Sequence, residues 1–386
     1  MTARRRALAL LILVALLAGP GLHGVVLGWH PLPRGVNDAG GEWMPAPDGG
    51  IRFSSPQTLD WLASLGVQVI RLPMRWESLQ PFPDAPLNPA AVQSIRRYVD
   101  AAWAHHMQVV LDIHNFGAVR WGRPPQPFQI GQWPATIDRF AAFWRSMAEQ
   151  FRDTPGIYGY DIMNEPDLLA PVWKAASQKT VEAIRQAGDR HVILVEGCNW
   201  ASAYMWVACH GSRAWIDDPL DNTIYEAHLY FDAHSGGDYA MTFPQELAAD
   251  PQLPGRVSRR LDVFINWCEE NGVRGFLGEF GCPPDPGWLA ELRECLATAQ
   301  WGHLGWTWWA AGEAWPPSYD KSIQPQPGYP RPQVAILQAN LPPGPWPVRT
   351  WQDFKWGYRL TRSRAHFKYK SLREQLHQWR QGTLGG

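Results

Sequence analysis

Apolar residues along the chain fall into two alternating patterns, short runs rich in β-branched residues and longer stretches with helical spacing. The run 67–73 predicts a strand that stops at a proline, because proline cannot donate a hydrogen bond to a sheet. The stretch 88–106 repeats apolar residues every three or four positions and begins with Asn88 and Pro89, which is typical of a helix start. In all, the pattern predicts strands at 32–37, 67–73, 108–113, 157–163, 191–196, 223–230, 274–281 and 304–309.

Stretches with helical spacing separate most of these strands. Helices are predicted at 55–65, 88–106, 136–151, 171–188, 256–271, 286–299 and 363–380, and a proline-rich loop at 315–332. Strands that alternate with helices over one unbroken stretch are typical of an α/β fold, here a single (β/α)8 TIM barrel. Because no linker or low-complexity spacer interrupts the alternation, residues 25–386 are expected to form one domain.

Two of the predicted strands end in a glutamate. The run 157–163 is followed by Glu165 and stops at Pro166, and a second apolar run reaches Glu279. Parallel strands of a barrel place their carboxyl ends on one face, where the active sites of this fold lie. The two glutamates are therefore expected to meet across the barrel mouth, as the paired carboxyl groups of a glycosidase do.

Other polar and aromatic side chains also follow predicted strand ends. We expect Glu165 to be the acid, because a neighbouring ionised Glu279 would raise its pKa, and Glu279 to be the nucleophile. Arg71 and Tyr230 would keep Glu279 ionised, and Trp309 would stack under the sugar ring. The expected substrate-binding residues are Arg71, His114, Asn115, Asn164, Trp200, His228, Tyr230 and Trp309.

Each of these residues, taken alone, also has a purely structural interpretation, such as a solvated charge at the barrel rim or a salt bridge. Glu196 and Glu313, near two further strand ends, compete for a catalytic role but lack a matching set of partners. The histidines show no metal-binding spacing such as H-x-H or H-E-x-x-H, so neither a metal nor another cofactor is expected. Three acidic residues inside predicted strands are interpreted as internal polar partners: Asp112, Asp161 and Glu226.

Composition narrows the class of protein. The 386-residue chain has a formal net charge of −1 and 18% charged residues, which excludes a solvated disordered chain and indicates no nucleic-acid partner. A monomer is expected. The 23 tryptophans suit both a core and stacking on sugar rings, so Trp200 and Trp315, which follow predicted strands, are candidates for a sugar-binding cleft.

Residues 1–24 resemble a targeting segment. Three arginines precede the apolar run 7–18, which is too short to span a membrane comfortably. No clear small-residue cleavage site follows, so a cleaved signal peptide and a retained N-terminal membrane anchor both stay open. Either one predicts a protein that is secreted, periplasmic or anchored to the outer side of the inner membrane.

The five cysteines form an odd set, so at least one is free if the others pair. Cys198 and Cys209 could close one loop, and Cys282 could pair with Cys268 or Cys295. Buried unpaired thiols are the alternative.

Seven short motifs in this order carry a resemblance to a known family. They are 34–37 (RGVN), 70–73 (IRLP), 111–115 (LDIHN), 164–166 (NEP), 226–230 (EAHLY), 278–281 (GEFG) and 306–312 (WTWWAAG). With them the chain resembles glycoside hydrolase family 5, the family of many bacterial and fungal cellulases. The resemblance implies a retaining β-glycosidase whose acid/base is Glu165 and whose nucleophile is Glu279. It implies supporting roles for Arg71, His114, Asn164, His228, Tyr230 and Trp309.

The resemblance also implies a β-glycan polysaccharide as the substrate. The motifs at 114–115 and 306–312 resemble cellulase-type members, which favours an endo-β-1,4-glucanase. A β-mannanase, an exopolysaccharide-processing β-glycanase and a non-catalytic glycan-binding barrel are the alternatives. The presence of both glutamates and of Arg71 argues against a mere binder, whereas the proline-rich loop after 312 matches no family feature and leaves the substrate open.

Overall fold

The computed structural model of the protein describes residues 32–342, and within them eight parallel strands close into a barrel. The barrel strands are β1 (Arg34–Asp38), β2 (Val69–Met74), β3 (Gln108–Ile113), β6 (Ile157–Asp161), β7 (Val192–Glu196), β8 (Thr223–His228), β9 (Arg274–Glu279) and β10 (Gly305–Ala311). Their order around the barrel is β1-β10-β9-β8-β7-β6-β3-β2. The predicted single (β/α)8 barrel is confirmed, while the targeting segment 1–24 and the predicted helix 363–380 lie outside the described residues.

Helices surround the barrel and connect its strands. Those of the described range are α1 (Pro56–Leu65), α2 (Trp76–Leu79), α3 (Pro89–Ala104), α4 (Ile137–Phe151), α5 (Ala170–Gln186), α6 (Trp206–His210), α7 (Phe243–Ala249), α8 (Arg256–Asn271), α9 (Pro286–Trp301) and α10 (Gln333–Asn340). A small hairpin, β4 (Ala118–Trp121) with β5 (Gln126–Gln129), follows β3. None of these helices combines the length and the apolar character that a membrane span requires.

The helix starts follow from the local sequence. Asn88 and Asp285 each accept a hydrogen bond from the backbone N–H two residues later, and a proline follows each of them at the first helical position. Thr136 caps α4 in the same manner through the N–H of Arg139. These caps fix where α3, α4 and α9 begin; the sequence analysis identified the cap at Asn88 and predicted the other two helix starts to within one residue.

The barrel interior has an apolar layer below a charged layer. Alternate residues of a strand point to the same side, so a residue two positions after an interior apolar residue is interior as well. The apolar layer contains Leu32, Val69, Val110, Tyr158, Val192, Leu194, Ile224 and Phe276. Two positions beyond Val69, Val110, Leu194 and Ile224 lie Arg71, Asp112, Glu196 and Glu226, all fully buried. Strand alternation thus places the charged layer directly beneath the barrel mouth.

The cysteines confirm one prediction and correct another. Cys198 and Cys209 form a disulfide that closes the loop after β7. Cys268, Cys282 and Cys295 are free and buried, so neither of the two pairings considered for Cys282 forms. The alternative of buried thiols holds for these three.

Candidate active site

Arg71 lies at the centre of the charged layer and is fully buried. Its nitrogens approach oxygens of five carboxylates: Asp112 (3.0 Å), Asp161 (2.6 Å), Glu196 (2.8 Å), Glu226 (3.2 Å) and Glu279 (3.0 Å). Arg71 and these five residues are called the Arg71 group. It also donates to Oδ1 of Asn37 at 2.9 Å and to Oδ1 of Asn164 at 2.7 Å. One guanidinium cannot neutralise five buried carboxylates, so part of the layer is protonated near neutral pH. Burial raises the pKa of Asp112 to about 8 and that of Glu226 to about 7.

Glu279 ends β9 and is held from two sides. Its Oε1 accepts from Arg71 at 3.0 Å, and its Oε2 accepts from the hydroxyl of Tyr230 at 2.9 Å. Burial alone would raise the pKa of Glu279, but the charges of His228 and Arg71 outweigh it and hold that pKa below its ordinary value. A carboxylate that stays ionised in a buried site can act as a nucleophile.

Glu165 follows β6 in a left-handed backbone conformation, with φ of 42°. Its Oε1 lies 2.9 Å from Nδ1 of His228, and one of its carboxylate oxygens lies within 4.8 Å of one from Glu279. Burial, and to a smaller extent Glu279, raises the pKa of Glu165 above its ordinary value although His228 opposes the shift. The expectation that Glu279 is the main cause is therefore corrected, because burial contributes more. The Glu165 side chain is 16% exposed to solvent and can reach a ligand.

His228 links the two glutamates. Its Nδ1 lies 3.8 Å from Oε2 of Glu279, and its Nε2 lies 3.2 Å from Oε1 of Glu196. Burial disfavours a charge on the ring, but Glu196 and Glu279 outweigh it and raise the pKa of His228 well above its ordinary value. A charged imidazole between the two carboxyl groups stabilises the ionised form of each of them.

Glu196 corrects the sequence analysis, which gave it no partners. It ends β7 and is fully buried. Its Oε2 accepts from the backbone N–H of Glu165 at 2.5 Å, and its Oε1 accepts from Arg71 at 2.8 Å. The signal available in the sequence was its position at the end of a predicted strand, which does not reveal its bond to the N–H of Glu165. Glu313, the other competitor, instead accepts from Ser55 and Thr58 at the start of α1 and lies outside the Arg71 group.

A series of six rings, here called the aromatic line, crosses the barrel mouth. Successive ring centroids are separated by 4.8 Å (Trp43–Trp315), 5.8 Å (Trp315–Trp309), 5.3 Å (Trp309–His114), 5.2 Å (His114–Phe116) and 5.7 Å (Phe116–Trp200). Trp43 and Trp200 at its ends are about half-exposed.

His114, one ring of this line, is neutral. Its Nδ1 is 2.8 Å from Asp112, and burial lowers the pKa of His114 well below its ordinary value.

The two predicted asparagines differ in their placement. Nδ2 of Asn164 is buried and has no hydrogen-bond partner among the described residues, so it can donate to a ligand. Asn115 is used in the framework instead: its Oδ1 accepts from the backbone N–H of Trp76 at 2.7 Å, and its Nδ2 donates to Glu77 at 2.8 Å. The expected substrate contact of Asn115 is therefore not supported, because its Oδ1 and one N–H of its Nδ2 hold the start of α2 in place.

Three groups of side chains within residues 32–342 bring three potential metal ligands close together. They are Glu165 with His228 and Glu279, Glu196 with Glu226 and His228, and Cys198 with Cys209 and His210. The first two share their carboxylates with Arg71, whose positive charge opposes a cation. The third contains sulfurs of a disulfide rather than thiolates. The chemistry of all three disfavours a metal.

A comparison with known protein families matches residues 36–314 to the cellulase model, glycosyl hydrolase family 5. The chain belongs to this family. As a family 5 glycoside hydrolase it acts on a polysaccharide. The match begins within β1 and runs past the end of β10, so every residue of the Arg71 group lies inside it.

Relatives of this glycoside hydrolase include curated and solved proteins. Endo-beta-1,4-glucanase A of Emericella nidulans is 29% identical over 297 residues, which cover 73% of this chain and 83% of that protein. The solved endoglucanase Cel5A of Pseudomonas stutzeri is 33% identical, covers 82% of this chain and 97% of its own, and superposes with a TM-score of 0.70. An endo-beta-1,4-glucanase of Xanthomonas axonopodis pv. citri is 30% identical, covers 80% and 98%, and has a TM-score of 0.71.

The contacts of Glu196 in this family 5 chain predict a specific kinetic defect. Replacing Glu196 with Ala removes the acceptor for the N–H of Glu165 and should misplace that side chain, lowering kcat/KM on cello-oligosaccharides by about 10²-fold. The loss of kcat/KM should be much smaller on 2,4-dinitrophenyl β-cellobioside, whose leaving group needs no proton in the first step. Steady-state kinetics on both substrates check this.

The matched control for this variant is Glu313→Ala, which removes a strand-end glutamate outside the Arg71 group. It should change both rates equally or not at all. An equal loss on the two substrates in Glu196→Ala would instead indicate general disturbance of the barrel.

Proposed function

We propose that the protein is an endo-β-1,4-glucanase that cleaves with retention of the anomeric configuration. The observation that carries the proposal is the pair Glu165 and Glu279, with carboxylate oxygens within 4.8 Å of each other. Retaining glycosidases hold their two carboxyl groups about 5–5.5 Å apart, whereas inverting enzymes leave about 6.5–9.5 Å for a water. The endo-β-1,4-glucanase names of the relatives support the choice of bond.

The proposed reaction has two steps. An oxygen of Glu279 attacks the anomeric carbon while Glu165 gives its proton to the glycosidic oxygen, so the leaving sugar departs as an alcohol and a covalent glycosyl-enzyme forms. Glu165 then takes a proton from water, the resulting hydroxide attacks the same carbon, and Glu279 leaves as the carboxylate. Two displacements at one carbon restore its original configuration.

The environments of the two glutamates suit these roles. The reaction begins with Glu279 ionised and Glu165 protonated. The pKa of Glu279 is lowered and that of Glu165 is raised, so both conditions hold over a range of pH between the two values. Above that range Glu165 loses its proton, and below it Glu279 gains one.

The surrounding residues receive proposed binding roles. Trp309 stacks under the reacting sugar, Asn164 donates through its unpartnered Nδ2 to the 2-hydroxyl, and neutral His114 offers Nε2 to another hydroxyl. Tyr230 and Arg71 hold Glu279. The aromatic line, with Trp200 at one end, provides stacking surface on both sides of the reacting centre, which supports cleavage within a chain. A solved relative, Pseudomonas stutzeri endoglucanase Cel5A, was determined in complex with cellobiose.

We also propose that the enzyme acts outside the cytoplasm, as a monomer. The Cys198–Cys209 disulfide supports an oxidising compartment. Residues 1–24 would then be a signal peptide or an N-terminal membrane anchor, and residues 25–386 the catalytic domain.

The test measures reducing ends released from carboxymethyl cellulose, β-mannan and mixed-linkage glucan, together with the viscosity of the first. We expect cleavage of the two glucans, with viscosity falling early because internal bonds are cut. Proton NMR of freshly released sugar should show the β-anomer first. Cleavage of mannan alone would show a β-mannanase instead of a glucanase, and an initial α-anomer would overturn retention. Binding without cleavage would indicate a glycan-binding barrel.

A further inference from the structure

A half-open cavity of about 370 Å³ lies outside the Arg71 group, beside one end of the aromatic line. It is bounded by residues of the segment 41–51 after β1, by the start of α2 after β2, and by Arg120 in β4 after β3. All three segments follow the carboxyl ends of barrel strands, so the cavity is on the same face as the catalytic pair. Trp43, the first ring of the aromatic line, forms part of its wall.

Two arginines give the cavity a positive charge. Nε of Arg75 donates to the backbone carbonyl of Glu42 at 3.1 Å, which holds the side chain in place. Within residues 32–342, neither Arg75 nor Arg120 has a carboxylate oxygen within 4 Å of its guanidinium nitrogens, so neither forms an ion pair there. The lining carboxylate of Glu77 is engaged by the amide of Asn115 instead. The wall therefore holds two guanidinium charges against the single charge of the Glu77 carboxylate, which leaves it with a net positive charge.

The wall also contains a carboxyl group with an unused oxygen. Glu42 is 5% exposed, and its Oε2 accepts from the N–H of Gly40 at 2.7 Å. Its Oε1 is buried and has no hydrogen-bond partner among the described residues. Burial raises the pKa of Glu42 to about 8, so the group is protonated at neutral pH and can donate a hydrogen bond. A buried polar atom that lacks a partner in a cavity wall points to a ligand.

We propose that this cavity binds a carboxylate-bearing sugar, so that the natural substrate is a β-glucan with acidic substituents such as uronic-acid branches. The inference rests on the proposed endoglucanase function and specifies its substrate class. A guanidinium offers parallel N–H donors that match a carboxylate, and the face of Trp43 suits a sugar ring. Trp43 contacts Trp315, and Trp315 contacts Trp309, so the acidic sugar lies along the same path as the bond that is cut.

The test compares kcat/KM on carboxymethyl cellulose, which is anionic, and on hydroxyethyl cellulose, which is neutral, at matched substitution and viscosity. In the double variant Arg75→Gln/Arg120→Gln the anionic-to-neutral ratio should fall about tenfold or more, mainly through KM on the anionic polymer, because charge-assisted hydrogen bonds are lost. Adding 0.5 M salt (about five times the ionic strength at which the Debye length is 10 Å) should lower the ratio for the wild type and leave the double variant nearly unaffected.

The control variant Arg145→Gln/Lys179→Gln removes two positive charges from half-exposed positions on α4 and α5. Its ratio should equal that of the wild type. A ratio that stays constant in Arg75→Gln/Arg120→Gln, or that falls equally in the control, overturns the proposal.

A binding measurement separates this inference from the proposed function. Retardation of the inactive Glu279→Gln enzyme in native gels containing either polymer needs no turnover. Stronger retardation by the anionic polymer, lost with the two arginines, supports the acidic-sugar site even if neither polymer is cut. Equal retardation by both polymers counts against it even if both are cut.

Discussion

Replacing Glu279 with Gln is expected to reduce kcat on every β-glucan by about 10⁴-fold or more, the order seen when a covalent nucleophile is removed. The amide cannot attack the anomeric carbon, while Arg71 and Tyr230 keep hydrogen-bonding partners in the carboxamide. Binding of the glucan should therefore persist. Reducing-end release, with binding followed in native gels, measures both effects, and Glu313→Gln is the matched control because that glutamate lies outside the Arg71 group.

A second variant at position 279 tests directly whether this residue is the nucleophile. Glu279→Ala leaves space on the face from which the carboxylate attacks. Azide, a small anionic nucleophile, should restore turnover of 2,4-dinitrophenyl β-cellobioside and give the α-glycosyl azide, because only one displacement then occurs. A β-configured azide product, or residual activity in Glu279→Gln comparable with that of the wild type, would remove Glu279 from the nucleophile role.

The sequence predicted the barrel because its strands are short, β-branched and ended by turn residues. The predicted strand 108–113 matches β3, whereas the predicted strand 157–163 ends two residues early, at Asp161. The hairpin β4–β5 was missed because its second strand, Gln126–Gln129, is polar and contains a proline. Helix α10 was missed because the prolines before it predict a loop.

Those residues of the candidate site were predictable whose position follows from the end of a strand alone. Strand alternation and the shared carboxyl face placed Arg71, Glu165 and Glu279 correctly together. The role of Glu196 was not predictable, because its bond to the N–H of Glu165 depends on the left-handed backbone at that residue. The framework role of Asn115 was hidden for a similar reason, since its partners Trp76 and Glu77 belong to a helix of only four residues.

Arg71 is the shared cation of five buried carboxylates, so its removal should cost more stability than that of an arginine with a single ionic partner. Replacing Arg71 with Met leaves five carboxylates without their shared cation, and breaking a buried ion pair costs about 3–5 kcal/mol of unfolding free energy. We expect a loss in at least that range, measured by urea unfolding at pH 7. The control Arg185→Met removes a buried arginine whose ionic partner within residues 32–342 is Asp218 alone, with two backbone carbonyls as its other acceptors, so its loss should be smaller.

The loss of stability in Arg71→Met should depend on pH, whereas a loss caused by defective packing would not. Burial raises the folded-state pKa of Asp161 to about 6, of Glu226 to about 7 and of Asp112 to about 8, all above the unfolded value of about 4. Between pH 4 and 8 the folded state therefore holds protons that the unfolded state releases, so unfolding free energy falls as pH rises. Without Arg71 these pKa values rise further, because Arg71 lowers each of them. The deficit of Arg71→Met should then be smallest near pH 5 and grow towards pH 9, and a deficit that is constant with pH would show that lost packing, not uncompensated charge, causes it.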